Sequence, residues 1–167
     1  MPNKKNIILD ADAIDKKISR IAYEIYEANY EEKEIILIGV YKNGLELATR
    51  LKLSIENISK IKVRLISLTL NKVEPLKDKI KTDLDLSIIK GKTVILVDDV
   101  AHSGKTLLYA MIPMLEFEPL KIQIAVLVDR KHKKFPVAAD FTGLLLSTNV
   151  HEMVTVSFGK NEVAFIV

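Results

Sequence analysis

Thr93-Val94-Ile95-Leu96-Val97-Asp98-Asp99-Val100-Ala101-His102-Ser103-Gly104-Lys105-Thr106-Leu107 carries three signals in succession. Thr93 to Val97 are mostly β-branched and apolar, the composition of a strand buried on both faces. Two carboxylates, Asp98 and Asp99, follow where such a strand is expected to end. A turn of small and polar residues then leads into an apolar-periodic run that predicts a helix from Gly104 to about Glu116. Ser103, Gly104 and Thr106 suit a helix N-terminus, where unpaired backbone N–H groups and the positive dipole end attract anions. Open α/β sheets bind ligands with this unit, beyond the carboxyl ends of their strands.

Two chemistries compete for the turn. Ser103-Gly104-Lys105-Thr106 is similar to the end of a triphosphate-binding loop, but that motif requires a glycine five residues before Gly104. Asp99 stands there, and its charge would repel a triphosphate. The alternative uses the acidic pair. Carboxylates at the mouth of a phosphate loop accept hydrogen bonds from two sugar hydroxyls while the loop holds a phosphate. That arrangement describes a ribose 5-phosphate site.

Upstream, the same unit recurs. Ile35 to Val40 reads as a second buried strand, Tyr41-Lys42-Asn43-Gly44 as a turn, and Leu45 to about Leu53 as a helix. Before it, Ile7-Ile8-Leu9 forms a short strand. Asp10 or Asp12 then caps a helix whose apolar residues Ile14, Ile18, Ile21, Ala22 and Ile25 fall at helical spacing, with Asn29 and Glu31-Glu32 at its end. Ile61 to Leu70 alternates in two sets that change phase between Leu65 and Ile66, the mark of a bulge or of an edge strand. Asn71 to Thr82 is a long polar loop, either a lid over the site or a solvated connection.

Downstream, Leu107, Leu108, Met111, Ile112 and Leu115 are expected on one side of the helix, with Pro113 kinking or shortening it. Lys121 to Val128 is the next strand. It closes on Asp129-Arg130-Lys131-His132-Lys133-Lys134-Phe135-Pro136, the most basic stretch. Three readings of that stretch stay open: a solvated loop, a wall of the base or phosphate site, or an RNA-contact patch. Asp140 to Leu146 reads as a strand, and Met153–Phe158 with Glu162–Ile166, joined by Gly159-Lys160-Asn161, as a terminal hairpin.

Composition narrows the classes further. At 167 residues, 49% of them hydrophobic, the chain can build one proper core. No apolar run approaches the roughly 18 residues of a membrane span, and the opening Met1-Pro2-Asn3-Lys4-Lys5 leads into too short an apolar run for a secretory leader. The absence of cysteine removes disulfides, thiolate metal sites and cysteine nucleophiles, and fits a reducing cytoplasm. A net charge of +3, with Lys and Arg spread along the chain, permits contact with nucleic acid without requiring it.

Val94 to Leu107 resembles the phosphoribosyl pyrophosphate (PRPP) signature of type I phosphoribosyltransferases. Ile8-Leu9-Asp10 with Arg20-Ile21-Ala22, the run Ile35 to Leu51, and Gln123 to Arg130 with His132, Pro136, Ala139-Asp140 and Gly143 extend the resemblance over nearly the whole chain. They are similar to one subgroup, the pyrimidine-operon attenuation regulators that double as uracil phosphoribosyltransferases. The hypoxanthine-guanine enzymes are a more distant match.

The resemblance implies a single domain spanning residues 1–167 with a doubly wound, mostly parallel sheet, helices on both faces and a small β-rich C-terminal hairpin. It implies Mg²⁺-dependent transfer of ribose 5-phosphate from PRPP to a nucleobase, uracil favoured, giving a nucleoside monophosphate and pyrophosphate. An RNA-binding regulator that uses the PRPP pocket as a sensor, and a hypoxanthine-guanine enzyme, are the alternatives. It further implies that Asp98 and Asp99 are catalytic, with His102 either an acid–base group or part of the phosphate loop. Ala101, His102, Ser103, Gly104, Lys105 and Thr106 would bind the 5-phosphate. Tyr41, Lys42, Asn43 and Gly44 would hold the pyrophosphate, and Arg130, Met153 and Val154 would face the base. Mg²⁺ would be held through PRPP and water, with no direct protein ligand. A homodimer without membrane contact completes the expectation.

The chain also departs from its relatives. His102 replaces the aspartate of purine enzymes, Ala138 replaces a basic residue, and Asn71-Lys72-Val73 replaces a Tyr-Arg-Asp cluster. Residues 159–163 lack the Asp and Arg that relatives offer to metal and pyrophosphate.

Overall fold

A computed structural model describes residues 5–167; the opening Met1 to Lys4, read above for a leader, lies outside the described residues. In chain order the main elements are β1 (Asn6–Leu9), α1 (Ala11–Ala28), β2 (Glu34–Val40), α2 (Asn43–Ile58), β3 (Lys62–Thr69) and β4 (Lys81–Thr82). A 3₁₀ turn at Leu86–Ile89 precedes β5 (Thr93–Ala101), α3 (Lys105–Leu115), β6 (Lys121–Arg130), β7 (Phe141–Leu146), β8 (Val154–Ser157) and β9 (Val163–Ile166).

Six strands form one sheet in the order β4-β3-β2-β5-β6-β7, all parallel except the two-residue β4. Alternation within each central strand sends side chains to two cores. Ile35, Leu37, Ile95 and Val97 pack under α1 and α2, while Ile36, Ile38, Val94 and Leu96 pack under α3. Both faces are therefore covered, which explains why β2 and β5 read as continuous apolar runs. The chain leaves β2 toward β3 on one side and β5 toward β6 on the other. Between the carboxyl ends of β2 and β5 this reversal opens the crevice in which such sheets bind ligands.

Asp10 is the N-cap of α1, its Oδ1 accepting from Ala13 N at 2.8 Å, and all five expected core residues of that helix are buried. Several boundaries differ from expectation. Strand β5 runs through the acidic pair to Ala101, because Asp98, Val100 and Ala101 still pair with Val126, Val128 and Asp129 of β6. Helix α2 starts two residues earlier than expected and continues to Ile58. The phase change in β3 is not a bulge, since its register with β2 is unbroken. Val63 and Leu65 serve the α1–α2 core, whereas Ile66 and Leu68 serve the α3 core.

On α3 the buried residues are Leu107, Ala110 and Met114, while Ile112 and Leu115 are exposed. The buried stripe follows i, i+3, i+7, so the expected stripe was rotated away from the core. Strand β6 extends to Arg130, which takes that residue out of the basic loop. The terminal hairpin is the larger part of a three-stranded sheet, β1-β9-β8, in which the N-terminal strand pairs antiparallel with β9. No helix among the described residues is long and apolar enough to cross a membrane.

Candidate functional site

Two cavities meet at the crevice. The first, about 240 Å³, is lined by Asp98 through Leu107 of the quoted stretch, with Asn43, Lys72 and Val154–Val156 around them. The second, about 510 Å³, lies between the start of α2 (Tyr41, Lys42, Leu45, Glu46, Thr49) and the hairpin residues Ser157–Gly159. Asn43 and Val156 belong to both.

At the floor of the first cavity, Asp98 is only 2% exposed. Its Oδ1 accepts from the backbone N–H of Asp99 at 3.0 Å, and Lys72 Nζ lies 3.5 Å away. Burial first, and then the neighbouring Asp99 charge, push its carboxyl up to about 8; the Lys72 ammonium opposes the rise. Asn43 Nδ2 donates both to Asp99 Oδ2 and to the carbonyl of Val156, each at 2.9 Å. One amide thus joins the acidic pair, the β2–α2 turn and the small sheet. Gly44 packs directly behind: a Cβ there would lie 2.6 Å from Val97 O and 2.9 Å from Asp98 Cα. Only glycine allows the second turn to approach the acidic strand so closely. The Tyr41–Lys42 peptide is cis.

The phosphate-sized turn is held from outside. Gly104 caps α3 in the left-handed region with φ 84°, and Leu108 N donates to its carbonyl. Ser103 O accepts from Lys134 N and Phe135 N, both at 3.0 Å, so this carbonyl faces the 131–136 loop. Ser103 Oγ accepts from Lys105 N at 3.3 Å. Among the described residues, the N–H groups of Ser103, Gly104 and Thr106 have no backbone acceptor in the turns and loops. With the N-terminus of α3 behind them, they form an anion-seeking nest.

His102 is half-buried. Arg130 Nη1 lies 3.3 Å from its Nδ1, and because an arginine can only donate, Nδ1 is the acceptor and Nε2 carries the proton. Burial, followed by the Arg130 charge, lowers its pKa and keeps the ring neutral. Arg130 itself is 8% exposed; its Nε donates to Thr148 Oγ1 at 2.8 Å and its Nη2 to Asn149 O at 3.2 Å.

The structure therefore brings Asp98, Asp99, Ala101, His102, Ser103, Gly104, Lys105 and Thr106 around one cavity, with Tyr41, Lys42 and Asn43 around its neighbour. Gly44 sits behind the boundary. Of the three residues expected against a base, Val154 lines the first cavity; Arg130 is turned inward by the extra length of β6, and the exposed Met153 lies outside the lining. Sequence reading missed Lys72, Thr155 and Val156. Lys72 stands at the start of the loop 71–82 and lines the cavity, where Lys105 Nζ also donates to Val73 O at 2.9 Å; residues 75–80 lie beside Ile112, Pro113 and Glu116 of the α3 end. In the sequence the missing Tyr-Arg-Asp cluster favours a plain solvated connection, so no local signal singled out Lys72.

Among the described residues no group of three or more His, Asp or Glu side chains converges as a metal cage. Two adjacent carboxylates supply hard oxygen donors but cannot enclose an ion alone.

Residues 5–159 match the family described as the phosphoribosyl transferase domain. The chain is 36% identical to a bifunctional protein PyrR of Clostridium novyi over 162 residues, covering 91% of this chain and 89% of that protein. The PyrR of Chloroflexus aurantiacus is 38% identical over 170 residues, covering 97% of this chain and 92% of that protein. Among solved structures, a hypoxanthine-guanine phosphoribosyltransferase of Bacillus anthracis superposes with a TM-score of 0.78 at 22% identity, covering 98% of each chain. A hypoxanthine phosphoribosyltransferase of Trypanosoma cruzi gives a TM-score of 0.78 at 18% identity, covering 95% of each chain.

Proposed function

The chain belongs to the phosphoribosyltransferase family, within the group of the bifunctional PyrR proteins, and from that membership and the crevice geometry we propose that it moves ribose 5-phosphate from PRPP to a nucleobase, with uracil favoured. In this reaction the bond from C1 of the ribose to the pyrophosphate oxygen breaks and a bond from C1 to a ring nitrogen of the base forms. Pyrophosphate leaves.

One observation carries the reading: an acidic pair, Asp98 buried and Asp99 partly exposed, adjoins a helix N-terminus with unpaired N–H groups inside the same small cavity. The 5-phosphate would take the N–H groups around Ser103–Thr106, with the Ser103 and Thr106 hydroxyls beside them. Asp98 and Asp99 would accept from the ribose 2- and 3-hydroxyls and stabilise positive charge developing on the sugar. The turn Tyr41–Gly44 would hold the diphosphate in the second cavity, at the start of α2 and beside the Lys42 charge. Val154 would form part of the wall against the base. His102, held by Arg130 with its pKa lowered by burial, would support that wall and the phosphate loop; this favours the lining role over acid–base work. The loop 71–82 would exclude water from C1.

Mg²⁺ would be held mainly by PRPP and water, with the Asp98 and Asp99 carboxylates as the hard oxygen donors nearest the sugar. When bound, it supplies charge that neutralises the departing diphosphate. A homodimer and a cytoplasmic setting accompany this reading, and sedimentation tests the first.

The test is product formation from a panel of bases with PRPP and Mg²⁺. Uracil is expected to give the monophosphate, and absence of product and of pyrophosphate with every base would overturn the assignment. RNA contact is the second activity to test. Lys131, His132 and Lys134 are exposed at the carboxyl end of β6, and the PyrR relatives are named bifunctional. RNA affinity that falls steeply with salt would support it.

A further inference from the structure

Arg50 stands on α2 outside both cavities and reaches the hairpin that walls the second one. Its Nη1 donates to Glu162 Oε2 at 2.9 Å, and its Nη2 donates to Oε1 of the same carboxylate. Its Nε donates to Glu46 Oε1 at 2.9 Å, and its guanidinium lies over the Phe158 ring, 4.9 Å from the centroid. Asp15 of α1 adds a longer contact at 3.9 Å. The Arg50 side chain is 24% exposed and that of Glu162 16%, so this pair is shielded well beyond an ordinary surface ion pair. Glu162 Oε1 also accepts from Gly159 N at 3.4 Å, which fixes the hairpin turn.

The second cavity has one wall from α2 and the other from the small sheet, two elements far apart in the chain. Side-chain hydrogen bonds tie these elements at two levels. Asn43 holds Val156 at the boundary with the first cavity, and Arg50 holds Glu162 one helical turn beyond Glu46. A planar fork on a carboxylate, stacked on an aromatic face, fixes distance and angle together, which a lysine ammonium cannot do.

We propose that Arg50 is a positioning residue for the diphosphate subsite: its clamp on Glu162 and Phe158 sets the separation between the Tyr41–Gly44 turn and the β8–β9 hairpin. This rests on the reading of the second cavity as the pyrophosphate site. It also gives the hairpin carboxylate of this chain a role: Glu162 is engaged by Arg50 and holds the wall in place.

The test uses the full chain with Arg50→Met, Arg50→Lys and Glu162→Gln. Calorimetric titration with magnesium pyrophosphate and, separately, with ribose 5-phosphate reads the two cavities, and thermal melting reads the fold. Arg50→Met and Glu162→Gln are expected to weaken pyrophosphate binding about tenfold, as a displaced wall should, while ribose 5-phosphate affinity holds. Arg50→Lys should fail to restore the loss. Equal weakening of both ligands would mean a general structural role and overturn the proposal. So would wild-type pyrophosphate binding that Arg50→Met leaves unchanged. Wild-type protein that fails to bind magnesium pyrophosphate would instead overturn the reading of the cavity, and this inference with it. Should Arg50→Met not fold, Glu162→Gln, which keeps shape and an acceptor oxygen, decides alone.

Discussion

The two strand–turn–helix units at the centre of the sheet, β2–α2 and β5–α3, solve the same problem differently. In both, a buried parallel strand releases the chain at its carboxyl end into a helix whose N-terminus faces the crevice. The β5–α3 turn is made of residues whose types state their chemistry: two acids, then Ser103, Gly104 and Thr106. The β2–α2 turn depends on proximity. Asn43 matters because it reaches Asp99 and Val156, and Gly44 because its missing side chain lets the turn rest against Asp98. One turn is a motif. The other is a packing arrangement that supports it.

That contrast can be broken at its strongest point first. Asp98→Asn with Asp99→Asn removes the Asp99 charge and the ionisable oxygens of Asp98 that would face the sugar, and turnover is expected to fall on the order of 10³-fold. Circular dichroism should stay native-like, because neutral amides suit a buried floor better than carboxylates do. Pyrophosphate release at the wild-type rate would remove the acids from the mechanism.

Next come the glycines, whose costs should differ in kind. Gly44→Ala forces a methyl into the backbone of β5 and should cost about 1–3 kcal/mol, together with activity, since Asp98 must move. Gly104→Ala keeps some space, with the nearest atom, Val137 Cβ, at 3.3 Å, but forces an L-residue into the left-handed region at φ 84°. Its cost should be roughly 1–2 kcal/mol. Denaturant melts and PRPP titration together separate the two, and equal loss of PRPP affinity in both would show that the two turns do not differ in this way.

A pH-dependent effect follows from Asp98. Its carboxyl is raised to about 8 in the folded chain, chiefly by burial, against an ordinary 3.8. The folded state retains a proton that the unfolded chain releases, so this contribution to stability is complete below the unfolded value. It declines as pH rises and is gone above about 8. Asp98→Asn should flatten that slope in melts recorded between pH 5 and pH 8. The smallest effect is that of Lys72→Met. The ammonium is partly exposed, so its loss should weaken ribose 5-phosphate binding at neutral pH by about two- to fivefold, with no change in the melting midpoint.

Much of this was legible in the chain. Ile14, Ile18, Ile21, Ala22 and Ile25 sit at helical spacing and are buried together, because one amphipathic helix face must meet a core. The strand, acidic pair, turn and helix of the quoted stretch were legible because their signals are local. Arg130 misled because nothing nearby in sequence says that β7 keeps β6 in the sheet up to that residue. Ile112 and Leu115 misled because α3 is apolar on more than one side, and only the sheet beneath it selects the stripe that is buried.

By itself, the sequence determined the buried strands, the acidic pair and the small polar turn before α3, since each depends on residues within a few positions of one another. Tertiary structure alone decided that Lys72 meets Asp98, that Asn43 bridges two turns and a second sheet, and that Arg50 ties α2 to Glu162. These contacts join residues separated by 26 to 113 positions. Hydrophobic periodicity and turn chemistry act over single elements. Which side chains meet across a crevice is set by the order and register of the strands that carry them.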